Sequence, residues 1–463
     1  MAASNHPIEG GVLPAPPGRL TFAGPALVAT LLISVVVAAI SYRFPPPSLP
    51  FLVLGGIAMV GLLALALTRY DAAVALGFFL LAIVAVEPAP TDVVFAIVIV
   101  VAAVTGRFEV TRVPVAVLGA LGMFLAINVL SVMEAIDPAI AGVYLMVTLY
   151  LAVFSIWLTG YLDSARRARI IVVAWLIAAV LSAGLGALAY FFPFPGWEAF
   201  IFGAGEEGGQ RLKGLFADAN VFAPFLIPMI LVLMEETLTP RLIRLRPALK
   251  VACMIILTLG VVLAFSRAAW LNLAISITVL LVVMTMRRGG GRRAGTLFGI
   301  IVLAGVGIFA TLTFTGQDEF LKQRAQVQRY DTSRFGAQRT GLAVAATHPM
   351  GIGPGQFELV SPVSAHSTYV RTLAEQGFLG FLSFFSLALI TLMLAIRNAL
   401  RGWSTYGIGS AALLGAWTGL LFNSFVIDTL HWRHLWVLAA LIWAGAMAGV
   451  ARSRTSKSSR TRA

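Results

Sequence analysis

The chain has 463 residues, 59% of them apolar and 11% charged, with a mean hydropathy of +0.92 and a formal net charge of +13. That leaves too little polar surface to keep a water-soluble globule of this size in solution. The single cysteine, Cys253, lies in an apolar run and excludes both a disulfide framework within the chain and a multi-cysteine metal site.

Segments of roughly 17–25 apolar residues recur along the chain, each long enough to cross a hydrocarbon core of about 30 Å as a helix. They are too long and too uniformly apolar for barrel strands, which alternate faces. The fold class expected is an all-α polytopic integral membrane protein, with about 12–14 transmembrane helices and a long outward loop that contains helices of its own. Residues 1–23 are polar and Pro-rich and form an N-terminal tail. Residues 24–42 are too long for the apolar core of a cleavable signal and read as a retained anchor helix. Spans at 50–68, 71–87, 91–106, 113–133, 139–160 and 168–192 complete an N-terminal block over 24–192. A first outward loop, 193–220, precedes a central block, 221–314, with spans 221–238, 248–266, 268–286 and 294–314. A second outward loop, 315–376, begins with a polar stretch that reads mostly as helix and breaks at HPMGIGPG. The last block, 377–450, holds spans 377–396, 406–427 and 434–450, and a basic tail follows at 451–463.

The basic residues sort these connections into two sides. Arg69, Arg107/Arg112, Arg166/Arg167/Arg169, Arg241/Arg244/Arg246/Lys250, Arg287/Arg288/Arg292/Arg293, Arg397/Arg401 and the tail fall on one side, which the positive-inside rule makes the cytoplasm, with both termini inside. The tail follows a span and reads as a lipid-facing anchor, so nucleic acid is not an expected partner. Arg43 stands alone at a helix end on the outer side. Ten other basic residues also oppose the trend: Arg211 and Lys213, Arg267, the loop group Lys322, Arg324, Arg329, Arg334, Arg339 and Arg371, and Arg433. The remaining outer connections are acidic or neutral, as at Glu87/Asp92 and Glu134/Asp137, so this convergence predicts an anionic ligand at the outer face.

Individual residues carry the chemistry. Ser266-Arg267 is nearly the whole outward turn between two spans, where an arginine is costly unless it is paired, snorkels to lipid phosphate or serves a function. Arg211 and Lys213 precede a helix capped by Asp218 or Asn220. Guanidinium groups beside a helix N-terminus make a phosphate cradle, although the capping alone needs no function. Arg433, in a short turn between the last two spans, is open in the same way. His366 is either a loop histidine satisfied by water or a carbonyl, or a base: neutral imidazole is well suited to taking a proton from a hydroxyl. Gly377 and Gly380 let the next helix approach a neighbouring backbone closely. Gly353, within HPMGIGPG, marks a backbone turn; that segment lacks the Lys-Ser/Thr of a phosphate-binding loop and follows no strand. The outward stretches show no zinc-type spacing and no Asp-x-Asp pair, so the chemistry expected there uses no metal and no cofactor, with arginines in the metal's place.

Taken together, RLKGLFADAN, FSRAAW, the run from Arg334 through GLAVAATHPMGIGPGQF, AHSTY and DTLHWRHLW resemble the O-antigen ligase and O-antigen polymerase family of bacterial surface-polysaccharide membrane enzymes. The family's ligase signature is met by His366, Ser367, Gly377 and Gly380, with Phe381 where ligases tend to have Gly, Thr or Tyr. The resemblance covers about residues 205–440. It implies a membrane glycosyltransferase of the C type that acts at the outer face of the cytoplasmic (inner) membrane. The implied donor is a glycan on polyprenyl (undecaprenyl) pyrophosphate, and the acceptor a hydroxyl of lipid A core, another lipid-linked glycan or a protein. By position, His366 would be the general base, and Arg211, Arg267 and Arg334 would bind the pyrophosphate, with Lys213, Arg339 and Arg433 further donor-site candidates. Neither the chemistry nor the family pattern gives Arg371 a role. A secondary transporter or lipid-linked glycan flippase is the alternative from another class, but it would show an internal repeat and charges near mid-membrane.

Overall fold

The computed structural model describes residues 49–86, 88–203, 209–287, 290–314, 316, 326 and 329–460. The expected tail 1–23, the anchor helix 24–42, Arg43, Glu87, Lys322 and Arg324 lie outside the described residues.

The described residues are overwhelmingly helical, because a backbone in lipid must satisfy its N–H and C=O groups within its own segment. In chain order the helices are α1 (Leu49–Thr68), α2 (Tyr70–Leu80), α3 (Pro90–Val104), α4 (Val115–Ser131), α5 (Pro138–Tyr161), α6 (Ala165–Phe191), α7 (Ala219–Leu238), α8 (Pro247–Leu263), α9 (Arg267–Met286), α10 (Gly290–Phe314), α11 (Arg329–Thr347), α12 (Phe357–Val360), α13 (Thr368–Leu400), α14 (Ser410–Asn423) and α15 (Arg433–Arg460). Between α6 and α7, β1 (Ile201–Phe202) and β2 (Arg211–Leu212) pair antiparallel, with Phe202 opposite Arg211.

Each expected span on described residues coincides with a helix. Among the described residues seven helices are long and apolar enough to cross a membrane, while Gly55–Thr68 of α1 and the helices α2, α3 and α8 are apolar but shorter. The expected span 71–87 ends early, at Leu80, and 406–427 shortens to 410–423, because the TYG and SFVID segments beside it form turns. The polar 329–347 stretch is helical, as its sequence predicts, and breaks before Pro349. Two helices form the centre: 83% of the apolar window of α7 and of α15 is buried, against 33% for α4, α5 and α9. Without a hydrophobic drive between helices in lipid, small residues set the close approaches. At Gly415 of α14, a Cβ would meet the Ser276 carbonyl oxygen of α9 at 2.5 Å.

α13 departs most from its expected bounds. It starts nine residues before 377, at Thr368, and is broken at Gly377, whose backbone is non-helical (φ 69°, ψ −172°). α7, α13 and α15 all run from the end that holds Asp218, His366 and Arg433 to the end that holds Arg241, Arg401 and Arg452. The bundle thus has two ends of distinct composition. At the second end, buried Glu235 pairs with Arg287 at 3.1 Å and accepts the Ala412 amide, and buried Glu236 accepts the Leu242 amide and an Nζ–H of Lys250.

Candidate functional site

The site grows from the start of α13. Ser367 caps that helix, accepting the Val370 amide at 3.4 Å, and the residue before the cap, His366, takes a left-handed backbone (φ 45°). A non-glycine residue in that region is held there by its surroundings. The Gln338 side chain of α11 donates to the His366 carbonyl at 3.4 Å and to that of Phe425 at 3.3 Å. Thr368, the first helical residue, donates its amide to the Ser424 carbonyl and accepts the Thr429 amide on its hydroxyl. The imidazole is therefore mounted where α11, α13 and the α14–α15 turn meet. It is half-buried, and burial together with the Arg334 charge lowers its pKa below the ordinary histidine value, against the opposing pull of Asp218, Asp428 and Glu358.

One turn further along α13, Arg371 is buried and joined to three carboxylates. It donates to Glu375 at 3.0 Å, to Asp428 at 3.0 Å and to Glu358 at 2.6 Å, and its guanidinium lies 5.2 Å from the centroid of the Tyr144 ring of α5. Glu375 also accepts the backbone amides of Gly355 (2.8 Å) and Phe357 (3.2 Å). The glycine-rich turn is thereby tied to α13, with Ile352 and Gly353 donating to the carbonyls of Ala374 and Glu375. Gly377 makes this docking possible: a Cβ there would collide with the Pro349 carbonyl oxygen. Gly380 packs near Ile127 of α4.

The loop between α6 and α7 supplies a second wall. Asp218 caps α7 by accepting the Asn220 amide at 2.8 Å, which decides the cap between the two residues. Asn220 instead uses its side-chain oxygen to accept from Arg211 at 2.8 Å. Buried Arg211 also donates to the Ala264 carbonyl (2.9 Å), which fixes it against the α8–α9 turn. That turn is tight, as its sequence predicts: Phe265 has φ 46°, Ser266 caps α9, and Arg267 is its first residue. Arg267 donates to the Gln326 carbonyl at 2.9 Å, linking the turn to the segment before α11. Lys213 is half-buried and hydrogen-bonded through its amide to Phe200.

A cleft of ≈ 260 Å³ opens between this loop and the α14–α15 turn, lined by Asp218, Phe216, Tyr144, Arg371, Asp428, His431 and Arg433 among others. Arg433, at the start of α15, makes a two-pronged ion pair with Asp92 of α3, so its guanidinium both borders the cleft and holds α3 to α15. His431 shares a hydrogen bond with the Thr148 hydroxyl (2.9 Å), and burial lowers its pKa to about 4. Burial alone would raise the Asp428 carboxyl, but the charges of Arg371 and His431 hold it below its usual value.

Of the residues singled out in the sequence, His366, Arg211, Asn220, Arg334, Gly353, Gly377, Gly380 and Arg433 lie at this end of the bundle, and Arg339 is exposed on α11. Among the described residues no group of three His, Cys, Asp or Glu side chains is arranged to hold a metal ion. The partners of Arg371 and Arg433 escaped the sequence reading. Only the repeated charge in DTLHWRH hinted at them.

Residues 252–385 match the family model described as O-Antigen ligase, a span that contains the α8–α9 turn, α11, His366 and Gly377 and leaves Arg211, Asp428 and Arg433 outside it. No curated protein matches the chain. The segment that holds His366 and the α8–α9 turn is thus similar to the O-antigen ligase family of membrane proteins.

Proposed function

We propose that the protein transfers a glycan from a polyprenyl (undecaprenyl) pyrophosphate donor to an acceptor hydroxyl, at the outer face of a bacterial cytoplasmic membrane. The observation that supports this reading is the placement of His366 where the Arg334 charge lowers its pKa, at the end of the bundle that also holds the Arg211–Asn220 pair, in a chain whose residues 252–385 match this family's model. An imidazole whose pKa is lowered is neutral at physiological pH and can accept a proton. In the reaction the acceptor O–H gives its proton to His366 while its oxygen attacks the anomeric carbon. The bond from that carbon to the pyrophosphate oxygen breaks, and the electron pair leaves with the pyrophosphate, so the anomeric centre inverts. Arg211, Arg267 and Arg334 offer fixed positive charge to the departing pyrophosphate, with Lys213, Arg339 and Arg433 in supporting positions. Guanidinium groups suit this task because they hold phosphate oxygens in pairs. The acceptor is lipid A core, a second lipid-linked glycan or a protein, and the step uses no metal.

The test is to supply the purified protein with a polyprenyl-pyrophosphate glycan, with and without EDTA, and to identify the product. Lengthened lipid-linked chains identify a polymerase, and transfer to a second lipid or to protein identifies a ligase. Activity lost to EDTA contradicts the metal-free step, and transfer at full rate by His366→Ala overturns the role of the base.

A further inference from the structure

An open pocket lies at the end of the bundle away from His366. It has a volume of ≈ 550 Å³ and is bordered by Arg241, Ser404, Tyr406 and Arg452, with Leu242 and Ala448 on its apolar side. This is the size range of small-ligand sites, which are mostly apolar with a few placed polar groups.

Three features make it a built site. First, both arginines are steered by the fold. The Arg241 amide is fixed by Glu236, while its guanidinium stands 3.7 Å from Glu235, a carboxylate that lies closer to Arg287 at 3.1 Å. Arg452 of α15 donates to the Ser404 carbonyl at 2.8 Å, which draws it across the cavity. Second, Tyr406 is strained. It and Gly407 take φ of +49° and +107° in a tight turn closed by reciprocal hydrogen bonds between Thr405 and Ile408. A tyrosine in a left-handed conformation is costly, and such strain concentrates at binding sites. Third, the pocket lies at an end of the membrane-spanning helices α7 and α15, where a membrane interface is expected. Trp403, next to it in sequence, lies under the guanidinium groups of Arg397 (5.5 Å) and Arg401 (4.8 Å), an aromatic-cation arrangement typical of that depth.

We propose that this cavity binds the phosphate of an anionic phospholipid headgroup between Arg241 and Arg452, with the Tyr406 hydroxyl as a further donor and the glycerol end of the lipid against Leu242 and Ala448. Basic pockets between membrane helices on the positively charged side suit such headgroups. A soluble phosphate would meet the same two guanidinium groups but would leave the apolar side uncovered. The site is separate from the glycosyl-transfer reading and stands whether or not that reading holds.

The experiment is native mass spectrometry of the full chain released from nanodiscs of mixed phosphatidylglycerol and phosphatidylcholine. The wild type should keep phosphatidylglycerol in preference to phosphatidylcholine. Each of Arg452→Gln and Arg241→Gln should lower that retention about fivefold, the effect of one arginine near a membrane surface. Arg244→Gln, which alters an exposed arginine outside the cavity, should leave it unchanged. Arg452→Gln leaves the Glu235–Arg287 pair intact, so its effect is not a folding defect at that pair. Equal retention by Arg452→Gln and Arg244→Gln overturns the proposal. A parallel arm adds millimolar inorganic phosphate: displacement of the lipid by phosphate alone would assign the cavity to a soluble anion and overturn the lipid assignment.

Discussion

Arg371 and Asp428, 57 residues apart in sequence, meet in a 3.0 Å ion pair that holds the helix after His366 to the turn before α15. Glu358 and Glu375 share the same guanidinium, so one cation organises the glycine-rich turn, α13 and the α14–α15 turn together. The residue with no role in the sequence is the hub of the site in three dimensions.

Arg371→Ala should therefore be severe. Removing one partner of a buried ion pair costs about 3–5 kcal/mol because the other charges are left uncompensated. The expected result is a large drop in the thermal midpoint of the detergent-solubilised protein. Arg371→Lys should recover part of the stability, since one ammonium cannot reproduce three directed guanidinium contacts. A midpoint unchanged in Arg371→Ala would refute the hub.

Gly377→Ala should be destabilising by at least about 1–3 kcal/mol, because the residue is left-handed and its Cβ would enter the Pro349 carbonyl. Gly119→Ala in α4, where a Cβ meets nothing within 4 Å, should change the midpoint little. The comparison of the two midpoints, in the same detergent, is the measurement.

His366→Ala should reduce glycan transfer by roughly 10²–10⁴-fold, the usual contribution of a positioned base. The pH profile carries a sharper expectation. The base must be neutral, so the rate rises with pH through the His366 pKa and then levels, and that pKa lies below the ordinary value. Arg334 contributes to the lowering, so Arg334→Gln should raise the pKa and move the acid limb towards higher pH, whatever it does to the maximal rate. A limb that stays in place in Arg334→Gln would break the electrostatic link.

His431 gives a stability signature. Its folded pKa of about 4 lies below the unfolded value of roughly 6.5, so the unfolded chain takes up the proton first on acidification. The stability it contributes is complete above pH 6.5 and is lost as pH falls towards 4. The wild type should thus lose more of its thermal midpoint across that window than His431→Gln, and parallel curves would contradict the assignment.

Arg433 and Asp92 can be separated by a double-mutant cycle. Contacting charges show coupling of about 0.5–3 kcal/mol. If Arg433 acts only by joining α15 to α3, Asp92→Asn and Arg433→Gln should lower the midpoint alike and affect transfer alike. A larger loss of transfer in Arg433→Gln, seen as a raised KM for the donor, is the result expected for a guanidinium that also meets the pyrophosphate.

What the sequence determined by itself is local. A window of apolar residues specifies a membrane helix because the backbone must close its own hydrogen bonds in lipid, and each expected span on described residues is a helix. The tight Ser266-Arg267 turn, the helix over 329–347 and the break before Pro349 were legible for the same reason, since short-range signals set them. Tertiary structure decided the pairings. Arg433 meets Asp92 across 341 positions, and Gln356 meets the Asp137 amide across 219. No window holds such distances, and charges that look alike in sequence differ by what is packed against them. Arg371 is held by three carboxylates, whereas Arg334 lies where its charge acts on His366, and the packing of α11, α13 and the α14–α15 turn decides both placements.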